Sequence, residues 1–286
     1  MTELKTKFTT DIFFKSMFTQ YPGLLKRLTA HLLKIPLKSI KQFDIRDTEM
    51  TPEIIDKKFC HLDIHMKVNN KIISLEVQVE KESNYPERSL YYWAKMYSNS
   101  LPINGKYIDL PRSISINILD FSLFKDSTEF HSEFNALEVT RHTQLSDKFV
   151  LHFFELPKIP KEIGKNDLLL LWLSLFKAKT LEELNRINEL GVPELSEAVG
   201  AYHTVTASPE YQELERLRIK AGHDEAQKLY NAEKRGEKRG EKRGKELGKE
   251  LGIKLGEERS DAKWKNVIND KDAEIEQLKA MLEKSQ

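Results

Sequence analysis

The chain has 286 residues, 39% hydrophobic and 32% charged, a length and balance that suit one large or two modest globular domains. With 46 Lys and Arg against 45 Asp and Glu the net charge is +1, which excludes a global positive field, so any nucleic-acid surface must be local. A single cysteine, Cys60, excludes an intrachain disulfide and a cysteine zinc cage. The longest apolar run, Leu168 to Phe176 with Ser174 inside it, falls short of the roughly 20 residues that span a bilayer. The N-terminus carries charges and no apolar signal segment, so the expectation is a soluble cytoplasmic protein with no membrane partner.

In chain order, FTTDIFFKSMFTQYPGLLKRLTAHLLKI reads as one or two helices closed by Pro36, with Phe14, Met17, Phe18 and Tyr21 as an apolar stripe. FCHLDIHMKV then alternates strictly. Leu62, Ile64, Met66 and Val68 take one face and His61, Asp63, His65 and Lys67 the other, the pattern of a half-buried strand. Asn69-Asn70 suits a two-residue turn with positive φ. IISLEVQVE returns as the second arm, with Ile73, Leu75, Val77 and Val79 on one side and Ser74, Glu76, Gln78 and Glu80 on the other. Pro86 opens a helix over ERSLYYWAKMYSNS, whose core-facing side is predicted to be Leu90, Trp93, Ala94 and Tyr97. SISINILDF and KFVLHFFEL supply two more strands, and the order predicts a mixed α/β layer rather than a barrel or a bundle.

Beyond residue 160 the composition changes. DLLLLWLSLF and TLEELNRINEL read as helices with Asn166 and Thr180 as N-caps and Gly191 as a stop, and Pro193 starts another. From Ser208 onward Glu, Lys, Arg, Leu and Gly dominate, with EKRG at 233, 237 and 241 and KELG at 245 and 249. Glycines every four residues advance about 40° per repeat on a helix, a winding stripe that costs roughly 1 kcal/mol per Gly. Two readings stay open for this segment: a solvated charged tail, or a helix that gains from packing on a second chain. Trp264, Val267, Ile268, Ile275, Leu278 and Leu282 are spaced for one apolar stripe, so residues 261–284 read as a short coiled-coil or oligomerisation helix. The zones are therefore 1–160, 161–207 and 208–286, the last making the chain a homo-oligomer.

The chemistry sits on the hairpin. Asp63 on its first strand, and Glu76 and Gln78 on its second, share the polar sides of strands joined by a tight turn, an oxygen-rich set of the kind that binds Mg²⁺ or Mn²⁺. Such an ion activates water and offsets charge on a phosphate. Two alternatives remain: an ordinary amphipathic hairpin with a solvated polar face, and a His-Asp-His transition-metal site formed by His61, Asp63 and His65. Against the first, Glu76 and Gln78 lie in a β-branched apolar context where unpaired polar groups are costly under a covering helix.

The ordered set of DIFFKSMF, Asp63, Glu76-Val77-Gln78, RSLYYWAKMYS, SINILDFSLF and LWLSLFKAKTLEEL resembles the PD-(D/E)xK nuclease superfamily, in its branch of recombination-promoting nucleases and transposases, over nearly the whole chain. That branch has Glu-x-Gln in place of Glu-x-Lys. The resemblance implies a restriction-endonuclease-like mixed sheet flanked by helices, followed by a helical region and a charged helical or coiled-coil tail. It implies a metal-dependent DNA endonuclease acting in recombination, mobile DNA or phage defence, with DNA as partner and Mg²⁺ or Mn²⁺ as cofactor. Asp63 and Glu76 become the metal-ligating acids, with the backbone carbonyl of Val77 as a third ligand and Gln78 at the lysine's place. An amide there orients water but cannot lower its pKa by positive charge or accept its proton. Arg88, followed by Tyr91, Tyr92 and Lys95 at i+3, i+4 and i+7, would grip phosphate and position oxygens. Lys15 would touch substrate and Asp11 serve as an accessory acid, or the two form a plain helix ion pair. Glu80 reads as a solvated charge. Gln78 and the long tail also support an alternative, a catalytically weak or inactive oligomeric interaction protein on a nuclease fold.

Overall fold

The computed structural model describes residues 2–46 and 64–283. Two short helices come first, α1 (Asp11–Gln20) and α2 (Pro22–Leu32), separated where Tyr21 precedes Pro22, whose ring is tolerated only in a first helical turn. Lys34 then takes a left-handed φ of 53° and turns the chain out ahead of Pro36.

One six-stranded sheet follows, in the order β1-β2-β3-β4-β6-β5. Its strands are β1 (Phe43–Arg46), β2 (Ile64–Val68), β3 (Lys71–Gln78), β4 (Arg112–Leu119), β5 (His131–Leu137) and β6 (Gln144–Glu155). β3, β4 and β6 run parallel to one another, and the other pairings are antiparallel. A parallel pair needs a crossover, and between β3 and β4 this is α3 (Tyr85–Ser98). The mixed sheet flanked by helices is the predicted one.

The two faces carry different cores. Ile73, Leu75 and Val77 of β3, with Ile114, Ile116 and Ile118 of β4 and Val150 and Phe154 of β6, join the main core. Phe13, Phe14, Met17 and Phe18 of α1 share that core, as do α2, α4 (Leu168–Lys177), α5 (Leu181–Glu189) and α6 (Pro193–Ala207). The residues 161–207 thus pack with the sheet. α4 is apolar nearly all round and buries Leu170, Leu171, Trp172, Leu173, Leu175 and Phe176, as a helix inside a core does. On the opposite face, Leu119, Leu151 and Phe153 pack with Tyr85 and Phe121, and Trp93 closes this smaller core by donating to the carbonyl of Ser113 at 2.9 Å.

Several expectations need correction. The buried side of α3 is Tyr85, Ser89 and Met96 with Trp93 half-buried, while Leu90 is 46% exposed and Ala94 is exposed as well. The helix starts at Tyr85, whose ring packs on Phe121 and Phe153 and rotates the buried stripe by about one position. The α4 cap is Asp167, not Asn166, and its carboxylate accepts from Leu170 N at 3.1 Å. Thr180 caps α5 with Glu183 reaching back, Gly191 stops it at φ 70°, and α6 starts at Pro193.

The last helix, α7, runs Pro209–Glu283 and includes the glycine repeat. The chain divides into two compact units, Met1–Arg216 and Leu217–Gln286. No helix among the described residues is long and apolar enough to cross a membrane.

Two histidines fall far below their ordinary range. His152 on β6 is buried with its Nδ1 3.0 Å from Nε2 of His131, and burial drives its pKa down to about 4 despite the opposing charge of Glu133. Burial, then the charge of Arg46, holds His65 at about 4. Both are neutral in the fold and titrate near 6.5 once unfolded. The unfolded chain therefore binds more protons between those values, so stability is complete above 6.5 and is lost as pH falls towards 4. Thermal unfolding is expected to shift to lower temperature on going from about pH 7.5 to about pH 5, with a shallower shift in His152→Gln. An undiminished shift in that variant would assign the dependence to other groups.

Candidate active site

The β2–β3 turn fixes the register of the site. Asn69 adopts φ 54°, and its side chain accepts from Lys41 N and Gln42 N at 2.9 and 3.1 Å while donating to Ser39 O at 2.9 Å. The turn is thereby tied to the segment entering β1. His65 stands opposite Ser74 and Ile64 opposite Leu75. A one-residue slip would exchange the two faces, and burial of Ile64, Met66 and Val68 opposes it.

Across β3 and β4, Ser74 faces Ser115, Glu76 faces Asn117 and Gln78 faces Leu119, so these side chains share the α3 face of the sheet. Glu76 is only 5% exposed. A carboxylate at that depth requires donors or a cation around it. Gln78, at the end of β3, uses both ends of its amide. Its Oε1 accepts from Arg88 Nη2 at 2.8 Å and its Nε2 donates to the carbonyl of Glu80 at 3.0 Å.

Arg88 is the hub of the next layer. Its Nη1 meets Glu82 Oε1 at 2.6 Å, and its guanidinium lies 5.1 Å from the ring of Tyr85 and 5.7 Å from that of Tyr92. Burial alone would lower its pKa, but the charge and hydrogen bond of Glu82, with Tyr85 and Tyr92, outweigh burial and raise it. Beneath it the Tyr85 hydroxyl donates to Asn117 Oδ1 at 2.9 Å. Asn117 Nδ2 donates in turn to the His152 carbonyl at 3.0 Å and to Ser115 Oγ at 3.3 Å. Gln78, Arg88, Tyr85 and Asn117 form one connected set anchored in the two central strands.

Of the residues singled out from sequence, Glu76, Gln78, Arg88 and Tyr92 are gathered on this face. Val77 sits between the first two with its side chain in the main core. Tyr91 is exposed and packs on Tyr92 with ring centres 5.8 Å apart, and Lys95 is half-buried further along α3. Asp11 and Lys15 belong to α1, in the helical layer on the other side of the sheet. Glu80 is exposed beyond the end of β3, as read. His65 is half-buried rather than exposed, because β2 is flanked by β1 and β3. Asp63, His61 and Cys60 lie outside the described residues, and with them the pairing of two acids and the His-Asp-His arrangement. Among the described residues no group of three or more His, Cys, Asp or Glu gathers to hold a metal. The donor in place is the Glu76 carboxylate, a hard oxygen ligand that fits Mg²⁺ or Mn²⁺ better than soft-ligand metals.

Sequence reading missed Tyr85, Glu82 and Asn117. For Asn117 the signal existed, since Ser113, Ser115 and Asn117 alternate with isoleucines along SISINIL and continue the polar face of β3. Glu82 carried none, because a loop returns it to Arg88.

A model of the family described as PD-(D/E)XK nuclease family transposase matches residues 8–232. The chain belongs to that family. The match takes in α1 to α6, all six strands and the first turns of α7, so the face around Glu76 lies well inside the family's extent. Membership in the PD-(D/E)XK nuclease family supports a nuclease or transposase-related role on DNA, and nucleases of this family generally use divalent metals. Searches of curated proteins and of solved structures found no match.

Proposed function

We propose that this chain is a metal-dependent endonuclease that hydrolyses DNA phosphodiester bonds in recombination, mobile DNA or phage defence. The observation that carries this reading is the buried carboxylate of Glu76 on β3, beside an arginine clamped in the next layer, in a chain of the PD-(D/E)XK nuclease family. Asp63 and Glu76 would hold the cation with the carbonyl of Val77. The cation, when bound, supplies charge that activates water and offsets the developing phosphate charge. Arg88 brings a second positive charge to the same face, fixed by Glu82 and lying over the rings of Tyr85 and Tyr92, and acts chiefly by holding Gln78 in place beside the substrate. Tyr91, Tyr92 and Lys95 of α3 contribute substrate contacts on this face. Binding then weakens steeply with salt. Self-association through the C-terminal helix belongs to the same reading, as does the division into a nuclease-like domain over 1–160, a helical region over 161–207 and the tail over 208–286.

One observation favours a second reading, a weakly active or inactive interaction protein. Gln78 has its carbonyl committed to Arg88 and its amide to Glu80, which leaves little of it to orient water. Incubating supercoiled plasmid with the protein in Mg²⁺, Mn²⁺ or EDTA decides between them, with Glu76→Ala as control. Nicking that needs metal and vanishes in the variant is the expected result. No cleavage with either metal favours the second reading, and cleavage indifferent to Glu76→Ala would assign the activity to a contaminant.

A further inference from the structure

Apolar side chains of α7 are exposed along most of its length, Leu229 included, but only from Trp264 do they fall on one repeating seam. Trp264, Ile268, Ile275 and Leu278 are all exposed, Trp264 by 64%, and they fall on a heptad seam. Placing Ile268 and Ile275 at a puts Trp264, Lys271 and Leu278 at d, Val267 and Glu274 at g, and Lys265, Asp272 and Lys279 at e. Further upstream the seam dissolves. Leu247, Leu251 and Leu255 recur every four residues and drift off any fixed heptad position, so the pairing segment is confined to about residues 261–282.

We propose that this segment pairs with the same segment of a second copy of the chain in a parallel, two-stranded coiled coil. The proposal rests on the self-association named above and adds its partner, its stoichiometry and its direction. Charge complementarity decides the direction. In a parallel pair, g of one chain faces the following e of the other, so Glu274 meets Lys279 of the second chain, twice by symmetry. Antiparallel pairing in the register that overlaps the whole seam, with Ile275 opposite Lys271, would bring e against e and g against g. That would set Lys265 against Lys279, Asp272 against Asp272 and Glu274 against Glu274, all repulsive. Stoichiometry follows from β-branched isoleucine at a with Leu278 at d, a combination that favours two strands.

Two seam positions of this segment are charged, Asp261 at a, where the segment begins, and Lys271 at d, inside it. Lys271 is tolerated because its Nζ already reaches Glu274 Oε2 at 2.6 Å, carrying its charge to the flank of the seam. A polar residue inside the seam also penalises slipped registers, which would bury it against isoleucine. Lys279 pairs with Glu276 of its own helix at 3.2 Å and must exchange that exposed contact for Glu274 of the second chain, a small cost at the surface.

The test is the association state of the full chain, measured by light scattering and analytical ultracentrifugation without DNA or metal, so that it stands apart from cleavage. The wild type is expected at twice 33.4 kDa at high concentration and to dissociate on dilution. Ile275→Asp should run as a monomer with its circular-dichroism helix signal largely kept. Glu274→Lys and Lys279→Glu should each weaken the dimer about tenfold, since two attractive contacts become repulsive. Mixed in equal amounts they should recover wild-type affinity, because in the mixed pair both contacts between positions 274 and 279 again join opposite charges. A wild type monomeric at every concentration, or an Ile275→Asp variant that still dimerises, would overturn the seam. Failure of the mixture to recover affinity would overturn the parallel direction while leaving self-association and the nuclease reading standing.

Discussion

Glu76→Gln is expected to abolish metal-dependent cleavage without lowering the unfolding temperature. The substitution keeps the volume and shape of the side chain on β3, so the neighbouring row through Asn117 and Phe153 stays packed. It removes a negative charge from a position only 5% exposed, where an ionised carboxylate is expensive to hold. Positions that serve chemistry often cost stability, and neutralising them returns some of it. Activity should behave in the opposite sense. Loss of a charged ligand weakens the cation and the stabilisation of developing charge together, a fall of at least about 100-fold. A second readout needs no turnover: Mg²⁺ should raise the melting temperature of the wild type by mass action and leave Glu76→Gln unmoved. Cleavage within a few-fold of wild type would place the essential acid elsewhere.

The elements that could be read from the sequence are those in which one local signal suffices. The β2–β3 hairpin announced itself because its alternation had to separate a core face from a polar one, and Asn69 had to accept a left-handed φ. Thr180 and Gly191 were legible for similar reasons, each satisfying helix-end groups that nothing else could reach. β1 and β5 were not foreseen. Phe43–Arg46 is too short to show a period, and β5 is an edge strand whose HSEFNAL is largely exposed or half-exposed, so burial imposes no alternation on it. The face of α3 was misjudged because periodicity gives spacing but not phase, and the phase was set by Tyr85 docking on residues more than thirty positions away. Within the site, Glu76 and Gln78 on one face followed from strand geometry alone. The bond from Arg88 to Gln78, with Glu82 as second partner, depends on the course of the loop between β3 and α3, which no residue pattern encodes. The tail shows the reverse case. Its glycines argue against an isolated helix, yet α7 is continuous through all of them.

Arg88 offers the second large effect, because its two roles separate under mutation. Lysine at this position keeps the charge but loses the planar fork that reaches Gln78 with one nitrogen and Glu82 with the other, and it loses the flat surface laid on Tyr85 and Tyr92. Arg88→Lys is expected to reduce cleavage by about 10- to 100-fold, less than the roughly 100- to 1,000-fold that loss of a whole preorganised donor costs, because lysine keeps the charge. If the arginine acts chiefly by holding Gln78, then Gln78→Ala should lower kcat to a similar degree, and the double variant should be little worse than either single one, as for residues that act as a unit. If it acts chiefly as a phosphate contact, the losses should multiply, KM for DNA should rise, and the salt dependence of binding should flatten by about one ion. The bond of 2.8 Å between the two side chains, with Arg88 already committed to Glu82 and stacked on both tyrosines, favours the first pattern. Non-additive kcat effects with little change in salt dependence are therefore the expected result, and multiplicative losses would make Arg88 a phosphate ligand independent of Gln78.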